Sequence, residues 1–305
     1  MIRTFVALAL LLGAARPARP QDSAAARPVS ADSSAARLPA ADRSRLAEAF
    51  RLARAVGGRV WPGWGRTPMP VLLVTDSAEF LIGHRAPSPD FTSAGHDSLL
   101  GSVWTRRPKF PSSLRATFPA VGGQPTIVIG TAERTGLSST AWVLTLMHEH
   151  FHQWQFSRPG YQAGVARLNL ARGDTTGQWM LDYPFPYARD SVQAGLRALA
   201  AALSPPADSS RAAREAQVPT VITARDRLLG LLSPSDARYL EFQLWQEGVA
   251  RYIEYEVVRA AASAPPPEPS FRALPDYEPY QATAWRMGER LRRELAELAP
   301  GEQQR

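Results

Sequence analysis

The chain has 305 residues, a length that predicts one large or two small domains. Apolar residues make up 45 % and charged residues 21 % of it, which excludes a collagen, a coiled-coil rod and a multispan membrane protein. Because the chain contains no Cys, disulfide scaffolds, thiolate zinc sites and cysteine nucleophiles are also excluded. Any metal site must therefore use His, Asp or Glu.

The net charge of +7 does not by itself indicate a nucleic-acid-binding protein. All but one of the 35 basic residues are Arg, and no basic run is longer than the pairs Arg106-Arg107 and Arg292-Arg293. Nucleic-acid-binding surfaces concentrate their basic residues on one face or along one helix. We therefore expect no nucleic-acid partner.

Residues 1–15 predict an export signal. Met1–Arg3 form a short positive segment, Thr4–Leu12 an uninterrupted apolar run, and Gly13–Ala15 a set of small residues suited to cleavage. The run is too short to cross a bilayer of ~30 Å as a helix, and no later apolar run reaches the necessary length. The sequence thus predicts a periplasmic or extracellular protein, cleaved near Ala15 and without a transmembrane anchor.

The rest of the sequence predicts a disordered leader followed by one large domain. Residues 16–37 are rich in Ala, Pro, Ser and Arg, with almost no large apolar side chains, and therefore predict disorder. Order is expected over 38–300, followed by a tail at 301–305. Within that domain, we expect a sheet and a central helix in 38–157 and a helical subdomain in 158–300.

The pattern of apolar residues predicts a mixed α+β fold. A helix is expected from about Leu38 to Gly57-Gly58, and a second one begins at Ser138 or Ser139 and carries Trp154. Four strands are expected between them, at 70–75, 101–105, 114–118 and 125–130. Further helices are expected at 190–203, 221–232, 233–262 and 281–298, with a surface loop at 204–217 and a break at 264–270.

The segment His148-Glu149-x-x-His152 on the second helix is a metal-binding pattern. Residues four apart lie ~40° apart on a helix, one turn along, so both imidazoles can reach one ion. Glu149 lies ~60° beyond His152, where its carboxylate can contact a water on the metal. His150 points the other way, so it is not expected to be a ligand. It is expected to lie at the surface or to contact the metal-binding residues from outside.

Glu247 is the best candidate for a third ligand. Its face of the helix also carries Leu240, Leu244 and Ala250, and a carboxylate on a buried face needs a partner. Gly248 inside a helix suggests that another helix packs closely there. The alternative is a surface carboxylate that pairs with the Arg four residues later. Seven residues after Glu247, Glu254 could accept a hydrogen bond from a ligating imidazole.

These motifs resemble those of the gluzincins, the thermolysin-like (peptidase MA-like) zinc metallopeptidases. The first motif is followed about 95 residues later by Trp245-Gln-Glu247-Gly-x-Ala-x-Tyr252, a form similar to that of many uncharacterised bacterial members. The resemblance covers about residues 126–256. It implies a zincin-like α+β fold, one Zn²⁺ per chain held by His148, His152 and Glu247, and a peptide or protein substrate.

The resemblance also implies that Glu149 is the general base. A tyrosine is expected to stabilise the oxyanion: the candidates are Tyr183, Tyr187, Tyr252 and Tyr255, and Tyr255 points better than Tyr252. Two other functions remain open at this point. One is an exported binding or scaffold protein with a structural or relic zinc site, and the other is a zinc hydrolase that acts on a non-peptide bond.

Overall fold

The computed structural model describes residues 37–174, 177–204, 210–284 and 286–287. The predicted export signal, nearly all of the predicted leader and most of the last predicted helix lie outside these residues, so they stay predictions. In the part of the chain that is described, no helix is both long enough and apolar enough to cross a membrane.

The mixed α+β class is confirmed, and the described chain divides into two compact units. The sheet unit consists of residues 37–154 and 264–278. The helical unit consists of the described residues of 155–263 together with those that follow 278.

The sheet unit is built on a six-stranded sheet with the order β3-β4-β2-β1-β6-β5. Only β1 and β6 run parallel, and every other neighbouring pair is antiparallel. These two strands carry the apolar runs Val-Leu-Leu-Val and Ile-Val-Ile, which are buried on both faces. The strands are β1 Val71–Val74, β2 Glu79–Ile82, β3 Thr92–Asp97, β4 Gly101–Arg106, β5 Arg115–Val121 and β6 Gln124–Gly130.

The four predicted strands are found, as β1, β4, β5 and β6, but the sequence interpretation missed β2 and β3. β2 is short and begins with Glu79, a charged residue that the structure buries completely against Arg106. β3 has the sequence Thr-Ser-Ala-Gly-His-Asp and contains no large apolar residue. It lies at the sheet edge and pairs on one side only, so no apolar alternation marks it.

One helix precedes the strands in sequence and two follow them: α1 Ala40–Val60, α2 Ala132–Thr135 and α3 Ser139–Phe156. The sheet unit includes α3 as far as Trp154. The predicted end of α1 at Gly57-Gly58 is wrong, because α1 continues to Val60. Gly57 serves close packing instead. A Cβ atom on Gly57 would lie 3.2 Å from the Cα atom of Gly65 in the following 3₁₀ turn, and one on Gly65 would lie 2.7 Å from the backbone nitrogen of Gly58.

The N-terminus of α3 is held by a segment from far along the chain. Ser138 accepts a hydrogen bond from the backbone of Ala141, as a capping serine does. The Asp276 carboxylate accepts from both the backbone and the hydroxyl of Ser139, at 2.9 and 2.6 Å. Buried Arg45 donates to the same hydroxyl at 2.8 Å. The 264–278 segment, which includes α10 Pro269–Arg272, thus belongs to the sheet unit, and nothing in the local sequence indicated this.

The helical unit contains, in chain order, α4 Tyr161–Leu168, α5 Trp179–Asp182, α6 Asp190–Leu203, α7 Arg211–Gly230, α8 Pro234–Gln243 and α9 Val249–Ala262. The helix predicted at 190–203 is confirmed, and Ser233 caps α8 as expected. The predicted loop at 204–217 is wrong for its second half, since α7 begins at Arg211. That half is polar, but its Arg, Ala, Glu and Gln residues have high helix propensity.

Gly130 gives the first testable prediction. A Cβ atom there would lie 1.6 Å from the carbonyl oxygen of Ser112, so Gly130→Ala must displace backbone. We expect this change to lower the free energy of unfolding by about 3 kcal/mol. In Gly58→Ala the same methyl meets nothing within 4 Å on a helix, so we expect a gain of about 0.5–1 kcal/mol. Urea unfolding measures both, and equal stability of the two variants would contradict the packing described here.

Candidate metal centre

The helix α3 carries the histidine motif and is buried on almost every side. Its apolar residues Trp142, Val143, Leu146, Met147 and Phe151 have no exposed surface. The Trp142 indole donates a hydrogen bond of 2.7 Å to the carbonyl of Gly130, which fixes the helix to the end of β6. The motif residues therefore project from a rigid, desolvated element.

The two motif histidines lie one turn apart, and both are buried. The Nε2 atoms of His148 and His152 are 3.1 Å apart, and their rings meet edge to face at 4.7 Å between centroids. Two nitrogen ligands at 2.0–2.1 Å from a tetrahedral zinc ion lie about 3.3 Å apart. The spacing of the two nitrogens therefore fits zinc ligation.

Glu149 is also buried, with 3 % of its surface exposed, and it accepts a hydrogen bond from strand β5. The Thr117 hydroxyl lies 2.8 Å from Glu149 Oε2 and 3.0 Å from the main-chain oxygen of the same residue. The sequence interpretation missed Thr117. The alternation of side chains along β5 could have suggested which face of the strand Thr117 occupies. It could not have identified Glu149 as the partner, because Glu149 lies on a helix far along the chain.

His150 is not at the surface, and that part of its prediction is wrong. It is 1 % exposed, its ring packs against Trp64, and its Nδ1 lies 2.9 Å from Oε1 of Gln153. Burial lowers the pKa of His150 to about 4, so the imidazole is neutral at pH 7. His150 therefore supports the packing of α3.

Gln153 anchors the same part of α3 to the sheet. Its side-chain amide donates at 2.9 Å to the carbonyl of Pro70, immediately before β1, and at 3.1 Å to that of Pro125, the second residue of β6. Its amide oxygen meets His150. A single buried side chain thus fixes both the start of the parallel strand pair and the helix.

In the helical unit, Glu247 lies in a π-helical turn, Leu244–Gly248, that joins α8 to α9. Such wide turns inside helices occur frequently at functional sites. The turn breaks the regular helical spacing on which the sequence argument for Glu247 depended. Leu240 and Ala250 are buried as expected, but Leu244 is 48 % exposed.

The argument from Gly248 is wrong as well. A Cβ atom on Gly248 would meet nothing within 4 Å, so no close helix contact requires this glycine. Arg251 forms an ion pair with Glu254, which is the residue predicted to support a ligating imidazole. The role of Glu254 stays a prediction.

His148, His152 and Glu247 are a group of residues that could hold a metal ion. Each offers one ligand atom: a ring nitrogen from each histidine and a carboxylate oxygen from Glu247. Two imidazole nitrogens and one carboxylate oxygen are a donor set that zinc accepts in hydrolytic sites. The residues present therefore fit the predicted ion.

The tyrosines predicted to stabilise an oxyanion have ordinary packing contacts. Tyr255 is partly buried, with the guanidinium of Arg259 5.7 Å from its ring centre, and Tyr252 is 55 % exposed. Tyr183 stacks on Tyr239 at 4.2 Å and donates to Asp236. The ring of Tyr187 packs against Phe185. The role of Tyr255 stays a prediction.

Tyr161 is a candidate of the same kind that the sequence did not indicate. It is 7 % exposed, and its hydroxyl donates to Oε1 of Gln246 at 3.3 Å. Burial, and secondarily the charge of Glu247, raises the pKa of Tyr161. Gln155, near the end of α3, donates to the main-chain oxygen of Gln246 at 3.1 Å.

No protein-family model, curated protein or solved structure matches this chain. The relation to gluzincins consequently depends on the motif residues and stays a prediction.

Gln153 gives the second testable prediction. Gln153→Met keeps the length of the side chain but leaves two buried carbonyls and His150 without this partner. We expect the free energy of unfolding to fall by about 2–4 kcal/mol. The control is Gln162→Met, at an exposed position of α4, for which a change below about 0.5 kcal/mol is expected. If both variants unfold at the wild-type denaturant concentration, Gln153 does not anchor the helix.

Proposed function

We propose that this chain is an exported, zinc-dependent metallopeptidase that hydrolyses peptide bonds. In this proposal one zinc ion is held by His148, His152 and Glu247, and Glu149 is the general base. The substrate is a peptide or protein, and the fold is of the zincin type.

One observation carries the proposal. The two histidine nitrogens are 3.1 Å apart on one buried helix, and the buried carboxylate next in sequence to His148 is held by its own hydrogen bond from Thr117. The histidine spacing suits a shared ion, and the donor set suits zinc. The carboxylate is the additional group that hydrolysis needs.

Zinc supplies, when bound, a Lewis acid that polarises a carbonyl and lowers the pKa of water to about 7. The Glu149 carboxylate takes the proton of the attacking water at one of its oxygens and then gives it to the leaving amine. The buried surroundings of α3 exclude bulk water from this carboxylate, which strengthens its interactions with the reacting groups. His148 and His152 hold their nitrogens in place through the rigidity of the helix.

Glu149 also argues against a purely structural zinc site. A structural site is closed by four protein ligands and has no use for an additional buried carboxylate. Burying a carboxylate costs free energy, and here one hydroxyl donor partly offsets that cost. Such a cost is reasonable for a residue that takes part in the reaction.

The third testable prediction concerns the metal and the base together. We expect the purified wild-type chain and Glu149→Gln to contain about one zinc ion each, and His152→Ala to lose it. The control is His96→Ala, an exposed histidine on β3, which should keep its zinc. Metal analysis gives the zinc content, and full zinc occupancy in His152→Ala would refute the site.

The same proteins are then incubated with a mixed peptide library, with and without a chelator. We expect chelator-sensitive cleavage by the wild type and a loss of about 10²–10⁴-fold in Glu149→Gln, because it lacks the proton acceptor. Zinc binding without cleavage would favour a binding or scaffold protein. Cleavage of ester or other non-peptide substrates, without cleavage of peptides, would favour a zinc hydrolase that acts on a non-peptide bond.

Export is the fourth testable prediction. The apolar run Thr4–Leu12 and its flanking residues have the pattern of an export signal. We therefore propose that the chain is exported and cleaved near Ala15. Mass spectrometry of the N-terminus in the native cell should find a mature protein that begins near Arg16, outside the cytoplasm. An intact Met1 in the soluble cytoplasmic fraction would contradict export.

A further inference from the structure

The strand β5 presents its residues alternately to the two faces of the sheet. Ala116 pairs with Val128 and Thr117 pairs with Ile127, so Thr117 lies on the same face as Ile127. Val128 and Phe118 belong to an apolar cluster on the opposite face. The contact between Thr117 and Glu149 shows that the Thr117 face is the one covered by α3.

The Thr117 hydroxyl reaches Glu149 at two atoms. It lies 2.8 Å from the carboxylate oxygen Oε2 and 3.0 Å from the main-chain oxygen. One hydroxyl between these two oxygens fixes the side chain of Glu149 relative to its own backbone. A Glu side chain loses rotamer freedom when it is fixed, so a partner is needed to hold one rotamer.

We propose that Thr117 is a positioning residue for the general base Glu149. It holds the carboxylate in the rotamer that takes and returns the proton, and it acts on the reaction through Glu149. The proposal rests on the proposed function for the catalytic role of Glu149. Since a misplacement of about 1 Å in a catalytic group can cost 10²-fold in rate, loss of this hydroxyl should lower kcat.

The threonine offers a matched pair of substitutions. Thr117→Val keeps the β-branched shape that suits a strand and removes only the hydroxyl. Thr117→Ser keeps the hydroxyl and removes only the methyl group. A role in strand packing would make Ser the more harmful change, whereas a role in positioning would make Val the more harmful one.

We expect Thr117→Val to lower kcat for peptide hydrolysis by about 10- to 100-fold, with KM within about twofold of the wild-type value and one zinc per chain retained. Thr117→Ser should stay within about threefold of wild type. In the Glu149→Gln background, Thr117→Val should have no further effect, because it acts through that carboxylate. Crystal structures of the wild type and both variants should show the Glu149 carboxylate displaced only in Thr117→Val.

Four results would overturn the inference. They are wild-type kcat in Thr117→Val, an equal loss in Val and Ser, a loss of zinc in Val, and a further loss of rate in the Glu149→Gln background. If the wild type shows no chelator-sensitive hydrolysis, the proposed function fails and the crystal structures alone decide about Thr117. A carboxylate displaced in Val and restored in Ser would then support the positioning role, and an unchanged carboxylate would overturn it.

Discussion

A polar side chain inside a protein needs a hydrogen-bond partner or a ligand, and this constraint governs the whole of α3. His148, Glu149, His150, His152 and Gln153 are each at most 6 % exposed, on a helix whose apolar residues are buried as well. Leaving such groups unsatisfied would cost about 1–3 kcal/mol each. The contacts of the sheet unit around α3 supply hydrogen-bond partners that avoid part of this cost.

The sheet supplies several of the hydrogen-bond partners of α3. Carbonyls at the starts of β1 and β6 accept from Gln153, the end of β6 accepts from Trp142, and the hydroxyl of Thr117 donates to Glu149. The sheet therefore fixes where the helix lies along its own axis, and not only that it packs. A carbonyl oxygen has two lone pairs, so that of Pro70 accepts from the backbone of Ile127 in β6 as well as from Gln153.

The beginning of α3 depends on an ion-pair network instead. Arg45 is buried between Asp42 and Glu133, at 2.8 Å from each, and donates to Ser139, which also donates to Asp276. Removing one member of such a network leaves a buried charge without compensation. Negative charge at this end also suits the positive end of the helix dipole. The segment that carries Asp276 thus stabilises the helix from 137 residues away in sequence.

The sequence by itself determined the features that depend on neighbouring residues. The one-turn spacing of His148 and His152, the helix at 190–203, the cap at Ser233 and the apolar strands β1 and β6 all follow from local periodicity and capping.

Tertiary structure decided the features whose causes lie elsewhere in the chain. β3 exists because β4 pairs with it, Gly57 lies within α1 because Gly65 approaches it, and Thr117 meets Glu149 because α3 covers that face of β5. The π-helical turn at Glu247 shows the same limit, since arithmetic at 3.6 residues per turn assumes a regular helix and fails where the helix widens.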